Sequence, residues 1–262
     1  MSESIQSDES VSFERVHGQI AVITLNRPRV HNAINAEMTA RIEAMVTRVE
    51  SDSTLRAAVL AANGKSFCAG ADLSEVAAGR ARELSTPDGG FAGFVFAHKS
   101  KPWIAAVQGA ALGGGTELAL ACDMIVASKD AAFGLPEARR GLIAGAGGCY
   151  RLARAMPPAI AIEMITTGTA ISGDRAHALG LVNRIADPAQ VRAEALKLAQ
   201  TVTANSPLSV REGLRIARAA AHFGEQELRA LQEQAVARIL AGPDFLEGAA
   251  AFLEQRAPVW KS

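Results

Sequence analysis

Two glutamates stand where a carboxylate could take part in acid–base chemistry. Glu117 opens an otherwise apolar helical run, Leu118-Ala119-Leu120-Ala121. A carboxylate in such surroundings needs a hydrogen-bond partner, an open cleft or a shifted pKa. Glu137 directly follows Pro136, and an acid at this place can also be an ordinary first-turn residue that the helix dipole favours. Taken alone, the pair is compatible with general acid–base catalysis and equally with a helix-start role for Glu137.

Glycine-rich turns precede both glutamates. Three segments stand out, namely Ser66-Phe67-Cys68-Ala69-Gly70-Ala71-Asp72-Leu73, Ala111-Leu112-Gly113-Gly114-Gly115-Thr116-Glu117 and Phe133-Gly134-Leu135-Pro136-Glu137. Each of the first two follows a predicted buried strand and opens a predicted helix. Small residues let the backbone come close to a ligand, and two such turns facing each other could aim two N–H groups at one oxygen. The alternative is that these glycines only permit tight turns and close packing.

Other chemistries that use glycine-rich loops or nucleophiles do not fit. A phosphate-binding P-loop has Lys-Ser/Thr after its last glycine, whereas Gly115 is followed by Thr116-Glu117. The nearest approach to a dinucleotide fingerprint, residues 145–150, has tyrosine at the final glycine position. No Gly-x-Ser-x-Gly elbow occurs, and the five histidines, at positions 17, 31, 98, 177 and 222, lack metal-ligand spacing. We expect neither a metal nor a serine nucleophile.

The elements that must position these turns alternate between strand and helix patterns. Val11–Val16 and Ile20–Leu25 flank His17-Gly18 and predict a hairpin. Apolar residues then recur at helical spacing, which predicts a helix capped by Asn35 and ending near Glu50. Further buried strands are predicted over Ala57–Ala62, Ile104–Val107 and Met124–Ala127. Short buried strands that alternate with helices predict an α/β fold with a largely parallel sheet.

Three regions are predicted along the chain: a disordered tail over residues 1–10, a sheet-containing core domain over 11–200 and a helical region over 201–262. The stretch Ser74–Gly93 is rich in Ala, Gly, Ser and Pro, which predicts a weakly packed helix and loop able to move around a ligand. Later helix starts are predicted at Ser172-Gly173-Asp174, Pro188, Ser206-Pro207 and Pro243.

Composition narrows the class of partner. Lys+Arg and Asp+Glu both total 27, and this balance gives no reason to expect a nucleic-acid or membrane-surface partner. The three cysteines form no C-x-x-C pair, which is typical of buried thiols in a reducing compartment. The acidic N-terminus lacks the features of a signal or transit peptide, and no apolar run reaches the ~18 residues of a membrane span. We expect a soluble cytoplasmic protein.

The ordered set of motifs resembles the enoyl-CoA hydratase/isomerase (crotonase) superfamily over roughly residues 11 to 261. The matching segments are Asn26-Arg27-Pro28, Asn32-Ala33-Ile34, Ser66–Leu73, Lys101-Pro102 with Ile104–Ala106, Leu112–Glu117, Phe133–Glu137, Gly145-Ala146-Gly147-Gly148, Arg151-Leu152, Thr167-Gly168 and Ala178-Leu179-Gly180-Leu181-Val182. The resemblance implies a ClpP/crotonase-like fold of repeated ββα units with a C-terminal helical trimerisation region. It also implies a homotrimer or a dimer of trimers that binds an acyl-CoA thioester, with coenzyme A as part of the substrate and no separate cofactor.

The resemblance also assigns residues to the site. Ala71 and Gly114 match the family's two oxyanion-hole N–H donors, and Glu117 and Glu137 match the acidic pair of its hydratases. The residues matching the part that lines coenzyme A are Arg29, Val30, Ala69, Asp72, Leu73 and Ser74. Arg256 and Lys261 fall in the family's closing helix, which can reach coenzyme A at a subunit boundary.

The reaction that the resemblance implies is addition of water across the α,β double bond of a 2-enoyl-CoA. Glu117 would act as the base toward water, and Glu137 would supply the proton to Cα. An isomerase needs only one carboxylate, so the presence of both favours hydration. A Δ3-Δ2 enoyl-CoA isomerase, a hydroxyacyl-CoA dehydratase and a non-catalytic acyl-CoA-binding scaffold remain alternatives. After Glu137 the sequence departs from the familiar hydratase pattern, with Arg139-Arg140, Ala144 and Cys149-Tyr150, which leaves the acyl group open.

Overall fold

The computed structural model describes residues 9–262. The tail expected over residues 1–10 lies outside the described residues except for its last two. Glu9 and Ser10 are hydrogen bonded, since their backbone carbonyls accept from the side chain and the backbone N–H of Asn26, at 3.0 and 2.8 Å. The Ser10 hydroxyl also donates to Glu37. Ordered chain therefore leads directly into the first strand.

The strands are β1 (Val11–Val16), β2 (Ile20–Leu25), β3 (Ala57–Ala62), β4 (Ser85–Thr86), β5 (Gly90–Phe91), β6 (Trp103–Val107), β7 (Ala111–Leu112), β8 (Met124–Ser128), β9 (Ala132–Gly134), β10 (Ile171–Ser172) and β11 (Arg184–Ala186). The α-helices are α1 (Ala36–Ser51), α2 (Leu73–Ala77), α3 (Gly114–Leu120), α4 (Gly148–Ala155), α5 (Pro158–Thr167), α6 (Gly173–Ala178), α7 (Val191–Thr203), α8 (Pro207–Ala219), α9 (Glu225–Ala241) and α10 (Pro243–Leu253). Short 3₁₀ helices span Pro28–Val30, Ala81–Leu84, Pro136–Arg140 and Pro188–Gln190.

The main sheet has the strand order β1-β2-β3-β6-β8-β11. Strands β1 and β2 form the predicted antiparallel hairpin, and every later pairing in this sheet is parallel. His17 and Gly18 in the hairpin turn both have positive φ, a conformation that suits tight hairpins. A second sheet has the order β10-β9-β7, and β4 pairs with β5. The prediction of an α/β fold with a largely parallel sheet is confirmed.

Both faces of the main sheet are buried. On one face, Val59 and Ile104 pack with Val191 and Ala195 of α7. On the other, alternate residues such as Leu60 face a larger apolar core that includes α1. Burial on both faces explains why the parallel strands are continuous apolar runs without a polar alternation.

This topology brings the glycine-rich turns to one edge of the sheet. Strands β3 and β6 are parallel neighbours, so the segments that leave their carboxyl ends emerge side by side. The first segment leads to α2, and the second leads through β7 to α3. Parallel pairing of β7 with β9 then places residues 133–137 beside the second turn.

Hydrogen bonds around Asp244 and Trp260 connect the C-terminal helices to one another. Asp244, at the start of α10, accepts hydrogen bonds from the hydroxyl of Ser206 at 2.7 Å and from the backbone N–H of Lys261 at 2.8 Å. The Trp260 indole donates to the carbonyl of Ala204 at 2.7 Å. These bonds tie the end of the chain to the start of α8. Within residues 9–262, no helix is both long and apolar enough to cross a membrane.

Candidate active site

The two glycine-rich turns pack directly against each other. The backbone N–H of Leu112 donates to the carbonyl of Cys68 at 3.0 Å, and a parallel bridge pairs Cys68 with Ala111. A methyl group at Gly115 would lie 2.0 Å from the Cys68 carbonyl oxygen, so only glycine permits this approach. The start of α3 is therefore held against the turn that follows β3.

Two backbone N–H groups lack an acceptor where the turns meet. Among the residues that the structure describes, neither the Ala71 nor the Gly114 N–H has a hydrogen-bond partner, and both residues line a cavity of about 870 Å³. A methyl group at Gly70 would lie 3.0 Å from the Gly114 nitrogen, so the residue before Ala71 touches the second donor. Such a pair of donors suits an oxygen that gains negative charge during a reaction.

Glu117 is buried in the first turn of α3, with 3% of its surface exposed. Its Oε1 accepts a hydrogen bond from the backbone N–H of Gly148 at 2.8 Å, and Gly148 is the first residue of α4. Burial raises the pKa of Glu117, and the nearby charge of Glu137 adds to the rise, whereas the hydrogen bond from Gly148 opposes it. The partner that the sequence required for this carboxylate is thus a helix N-terminus.

Glu137 lies in the first turn of the 3₁₀ helix Pro136–Arg140 and is half-buried. Its Oε2 is buried and has no hydrogen-bond partner within residues 9–262. A methyl group at Gly113 would lie 3.0 Å from the other oxygen, Oε1. Burial also raises the pKa of Glu137. Because an unsatisfied buried carboxyl oxygen is costly, a polar molecule that enters the cavity and bonds to Oε2 would relieve that cost.

The cavity brings together the four residues that the sequence analysis assigned to catalysis. Glu117, Glu137, Ala71 and Gly114 all line it. Its remaining wall is largely apolar, and the large side chains in it belong to Phe91, Phe96, Leu142 and Ile143. A methyl group at Gly114 would lie 2.5 Å from Cε1 of Phe91, so this ring rests on the residue that supplies one of the free N–H groups.

The residues expected to line coenzyme A divide into two groups. Val30, Ala69, Asp72 and Leu73 line the cavity. Arg29 and Ser74 are exposed and do not line it. The Asp72 carboxylate caps α2 by accepting from the Ser74 N–H at 3.1 Å and pairs with Arg27 at 2.9 Å. Asp72 therefore helps to shape the rim of the cavity through its bonds to Ser74 and Arg27.

Arg256 and Lys261 do not line the cavity of their own chain. The Arg256 guanidinium pairs with Glu247 and Glu254, each at 2.6 Å, and these bonds raise its pKa. Lys261 donates its backbone N–H to Asp244. Both residues are exposed and follow the end of α10 at Leu253, so the prediction that they lie in a closing helix is wrong. The helix ends there because Gln255 has a positive φ and Pro258 follows.

The three thiols do not add a nucleophile to the site. Cys68, Cys122 and Cys149 are free, and burial raises the pKa of both Cys68 and Cys122 to about 12. A thiol with such a pKa remains protonated near neutral pH. The Cys68 Sγ instead donates to the carbonyl of Asn32 at 3.2 Å, which is a packing role within the first turn.

The sequence profile of the enoyl-CoA hydratase/isomerase family matches residues 15–262. The chain belongs to this family. A crystal structure of an enoyl-CoA hydratase from Mycobacterium marinum is 42% identical and superposes with a TM-score of 0.92, covering 97% of this chain and 99% of that chain. The crotonase fold predicted from the motifs is therefore confirmed.

Two similar proteins carry names that state an acyl group. A mevalonyl-coenzyme A hydratase from Aspergillus fumigatus is 41% identical over 96% of this chain and 94% of that protein. A carnitinyl-CoA dehydratase from Salmonella typhi is 39% identical over 97% of this chain and 98% of that protein. Both names describe hydro-lyases of acyl-CoA thioesters, and the acyl groups that they name differ.

The sequence analysis did not predict the roles of several residues that shape the hydratase/isomerase site, although Asn32 and Gly148 lie in segments that match the family. The buried side-chain amide of Asn32 donates toward three carbonyls, of Asn63, Ser66 and Phe67, at 2.9 to 3.1 Å. A buried asparagine must satisfy its side-chain amide with hydrogen bonds. The neighbouring sequence does not indicate which carbonyl groups accept them, because these lie more than thirty residues later in the chain. The Gly148 donor and the Phe91 ring likewise reach the site from distant parts of the chain.

Proposed function

We propose that this enzyme adds water across the α,β double bond of a 2-enoyl-CoA. The observation that carries the proposal is the convergence of the buried Glu117 and the half-buried Glu137 on one cavity with two backbone N–H groups that have no partner within residues 9–262. A reaction that builds up charge on a thioester oxygen while it moves two protons needs this set of groups. The family match and the names of the relatives support the same class of reaction.

In the proposed step, one water molecule lies between the two carboxyl groups. Glu117 accepts a proton from the water as its oxygen bonds to Cβ, and the π electrons move toward the thioester carbonyl. The Ala71 and Gly114 N–H groups bind the enolate oxygen that forms. Glu137 then delivers its proton to Cα as the carbonyl re-forms, so one H and one OH are added in total. The raised pKa of Glu137 favours the protonated form that this role requires.

The same groups can run the reaction in reverse, as dehydration of a 3-hydroxyacyl-CoA. This second candidate direction is supported by the similarity to a carnitinyl-CoA dehydratase. Mevalonyl and carnitinyl groups both carry a polar substituent beyond Cβ. The cavity offers polar side chains of Ser85, Thr86 and Arg140 beside its apolar wall, so acyl groups with polar ends belong among the substrates to be tested.

For coenzyme A we propose the rim formed by Val30, Ala69 and Leu73, with Arg29 and Ser74 exposed next to it. Val30 and Leu73 are large apolar side chains that remain 43% and 55% exposed, as expected for a surface that a ligand covers. Arg256 and Lys261 would reach a bound coenzyme A only across a subunit boundary, which is the role that the family resemblance implies for them.

The proposal includes self-association as a homotrimer or a dimer of trimers. Side chains in and after α10 are apolar and largely exposed, including Phe252 at 83% and Leu253 at 81%. Large exposed apolar residues of this kind mark association surfaces. Sedimentation analysis should give three or six times the chain mass of 27.3 kDa. A monomer would refute this part of the proposal, and the cytoplasmic location stays a prediction.

Product analysis with the wild-type protein tests the proposed function. Crotonyl-CoA, a longer 2-enoyl-CoA, a 3-enoyl-CoA and 3-hydroxyacyl-CoAs with and without a polar terminus would each be incubated with enzyme. Hydration or the reverse dehydration, detected by change in enoyl absorbance and by mass, supports the proposal. Conversion of the 3-enoyl-CoA alone would replace it with an isomerase. Binding of saturated acyl-CoA without any turnover would indicate a scaffold.

A further inference from the structure

The Arg151 guanidinium bonds to the backbone of two segments that each contribute residues to the wall of the cavity. One nitrogen of its guanidinium donates to the carbonyl of Ala146 at 2.8 Å, and another donates to the carbonyl of Val95 at 2.6 Å. Ala146 itself lines the cavity beside Glu117, and Val95 belongs to the segment that carries the aromatic wall. One side chain thus bonds to backbone from two segments that lie about fifty residues apart in the sequence.

The first wall is the turn that leads into α4. A methyl group at Gly147 would lie 2.4 Å from the Nη1 atom of Arg151, so the guanidinium packs against this glycine, whose φ is +97°. The next residue, Gly148, donates its N–H to Glu117 at 2.8 Å. The bond from Arg151 to Ala146 and its contact with Gly147 therefore fix the backbone immediately before that donor.

The second wall is the aromatic segment after β5. The guanidinium carbon of Arg151 lies 5.2 Å from the centroid of the Phe96 ring, within the range of a cation–π contact. Val95 also donates its own N–H to the carbonyl of Phe91 at 3.3 Å, and the Phe91 ring rests on Gly114. The same guanidinium therefore connects the Phe91 ring, through one turn of backbone, to the carboxylate side of the cavity.

We infer that Arg151 is a positioning residue, which holds the Gly148 N–H on Glu117 and fixes the distance between the carboxylate wall and the aromatic wall. The expected effect on kcat rests on the proposed function. The effect of Arg151 on the position of the Gly148 N–H does not require that the enzyme turns over an acyl-CoA. The charged groups that face Glu117 are Glu137, from the Pro136–Arg140 helix, and Arg151, from α4; the Cys149 thiol also lies near.

The test replaces Arg151 with methionine, which keeps an unbranched side chain about as long as the aliphatic stem of arginine but removes the guanidinium, its charge and both hydrogen bonds. Arg154→Met is the matched control, because Arg154 lies in the same helix and is exposed, and its guanidinium contacts only the Tyr150 ring among the described aromatic residues. Arg151→Lys keeps the charge but cannot bond to both carbonyls in the planar fork of arginine. It serves as the conservative variant and as the second variant if Arg151→Met does not fold.

Two readouts apply. In ¹³C NMR titrations of the glutamate carboxyl groups, with the Glu117 signal assigned from Glu117→Gln, Arg151→Met should move the Glu117 midpoint upward by on the order of one pH unit. Arg154→Met should leave it in place. In kinetics, kcat of Arg151→Met should fall about 10²-fold, and the acidic limb of its pH profile should move to higher pH. Arg151→Lys should recover most of the pH profile.

The outcomes separate the inference from the proposed function. If the Glu117 midpoint stays in place in Arg151→Met, or moves equally in Arg154→Met, the inference is overturned even when the wild type hydrates enoyl-CoA. If the midpoint moves as expected but the wild type converts no acyl-CoA, the positioning role stands and the proposed function fails. A uniform loss of thermal stability in both Arg151 variants with an unchanged pH profile would reduce Arg151 to a structural residue and overturn the inference.

Discussion

Gly148 donates its backbone N–H to Oε1 of Glu117 at 2.8 Å, and this bond joins the start of α4 to a carboxylate 31 residues earlier in the chain. The bond stabilises the ionised form of Glu117 against the effect of burial. A carboxylate that is buried yet still able to ionise can accept a proton from water near neutral pH. The position of α4 therefore sets the basicity of the proposed base.

The raised pKa values predict that the two glutamates cost stability. A carboxyl whose pKa is higher in the folded state than in the unfolded chain binds its proton more tightly when folded. The free energy of unfolding then falls as pH rises between the two pKa values, and the full cost remains above the folded-state pKa. Because burial raises the pKa of both glutamates, Glu117→Gln and Glu137→Gln should each raise the thermal midpoint near pH 8.

That gain should shrink as the pH falls and vanish below the pKa of the unfolded chain. Calorimetry of each variant between pH 4 and pH 8 measures it, with Glu163→Gln on the exposed side of α5 as the control. A gain that grows toward low pH, or a thermal midpoint below that of the wild type at pH 8, would contradict the prediction for that variant. The carboxylate it replaces would then not lower the stability of the folded protein.

Gly114→Ala tests the oxyanion donor without changing a charge. The added methyl group would lie 2.5 Å from the Phe91 ring, so the ring or the start of α3 must move. Displacing one such donor should lower kcat about 10²- to 10³-fold, while binding of a saturated acyl-CoA changes much less. Steady-state kinetics and calorimetric titration with a saturated acyl-CoA measure the two effects.

Gly213→Ala provides the matched control for that substitution. Gly213 lies inside α8, and an added methyl group would meet nothing within 4 Å. Removing a glycine from a helix interior should stabilise the protein by about 0.5–1 kcal/mol and leave kcat unchanged. Equal kinetics for Gly114→Ala and Gly213→Ala would rule out the Gly114 N–H as a catalytic donor.

Asn32→Ala tests the bonded turn behind the first donor. Asn32 is fully buried, and besides its three carbonyl contacts its Oδ1 accepts from the Arg27 N–H at 2.8 Å. Loss of the side chain leaves buried backbone groups unsatisfied, which should cost ~1–3 kcal/mol of unfolding free energy. Because Ala69 bonds to the neighbouring His31 carbonyl at 3.0 Å, kcat/KM should fall as well.

Denaturant unfolding and kinetics check this prediction together, with Asn205→Ala as the control. Asn205 is exposed, and within residues 9–262 its side-chain amide bonds only to the Thr201 carbonyl one turn earlier. An Asn32→Ala protein as stable and active as the control would mean that the turn keeps its shape without this side chain.

Local signals in the sequence were sufficient for much of the fold. The hairpin has the predicted bounds, Val11–Val16 and Ile20–Leu25, because β-branched runs around His17-Gly18 need no distant partner. The cap on α1 was also predictable, since Asn35 accepts from the Met38 N–H at 3.0 Å. The predicted start at Ser206-Pro207 is confirmed for the same reason, as Ser206 caps α8.

The site residues in contiguous motifs were predicted from the sequence, whereas contacts that depend on tertiary packing were not. The glycine-rich turns and both glutamates could be named because each motif is contiguous. The Gly148 donor could not be paired with Glu117, since that contact depends on how α4 packs. Likewise Ser74–Gly93 holds a two-stranded hairpin, β4 with β5, whose Phe91 covers Gly114. The low apolar content of this segment gave no sign that it forms part of the cavity wall, because within it the Phe91 ring alone covers Gly114.

The most direct test of the two-carboxylate account compares wild type, Glu117→Gln and Glu137→Gln in the loss of enoyl absorbance with crotonyl-CoA and a longer enoyl-CoA. Each substitution should lower kcat by about 10²- to 10⁴-fold, with KM and the binding of saturated acyl-CoA little changed. Near-wild-type hydration by either variant would contradict the account, because a single carboxylate would then be sufficient.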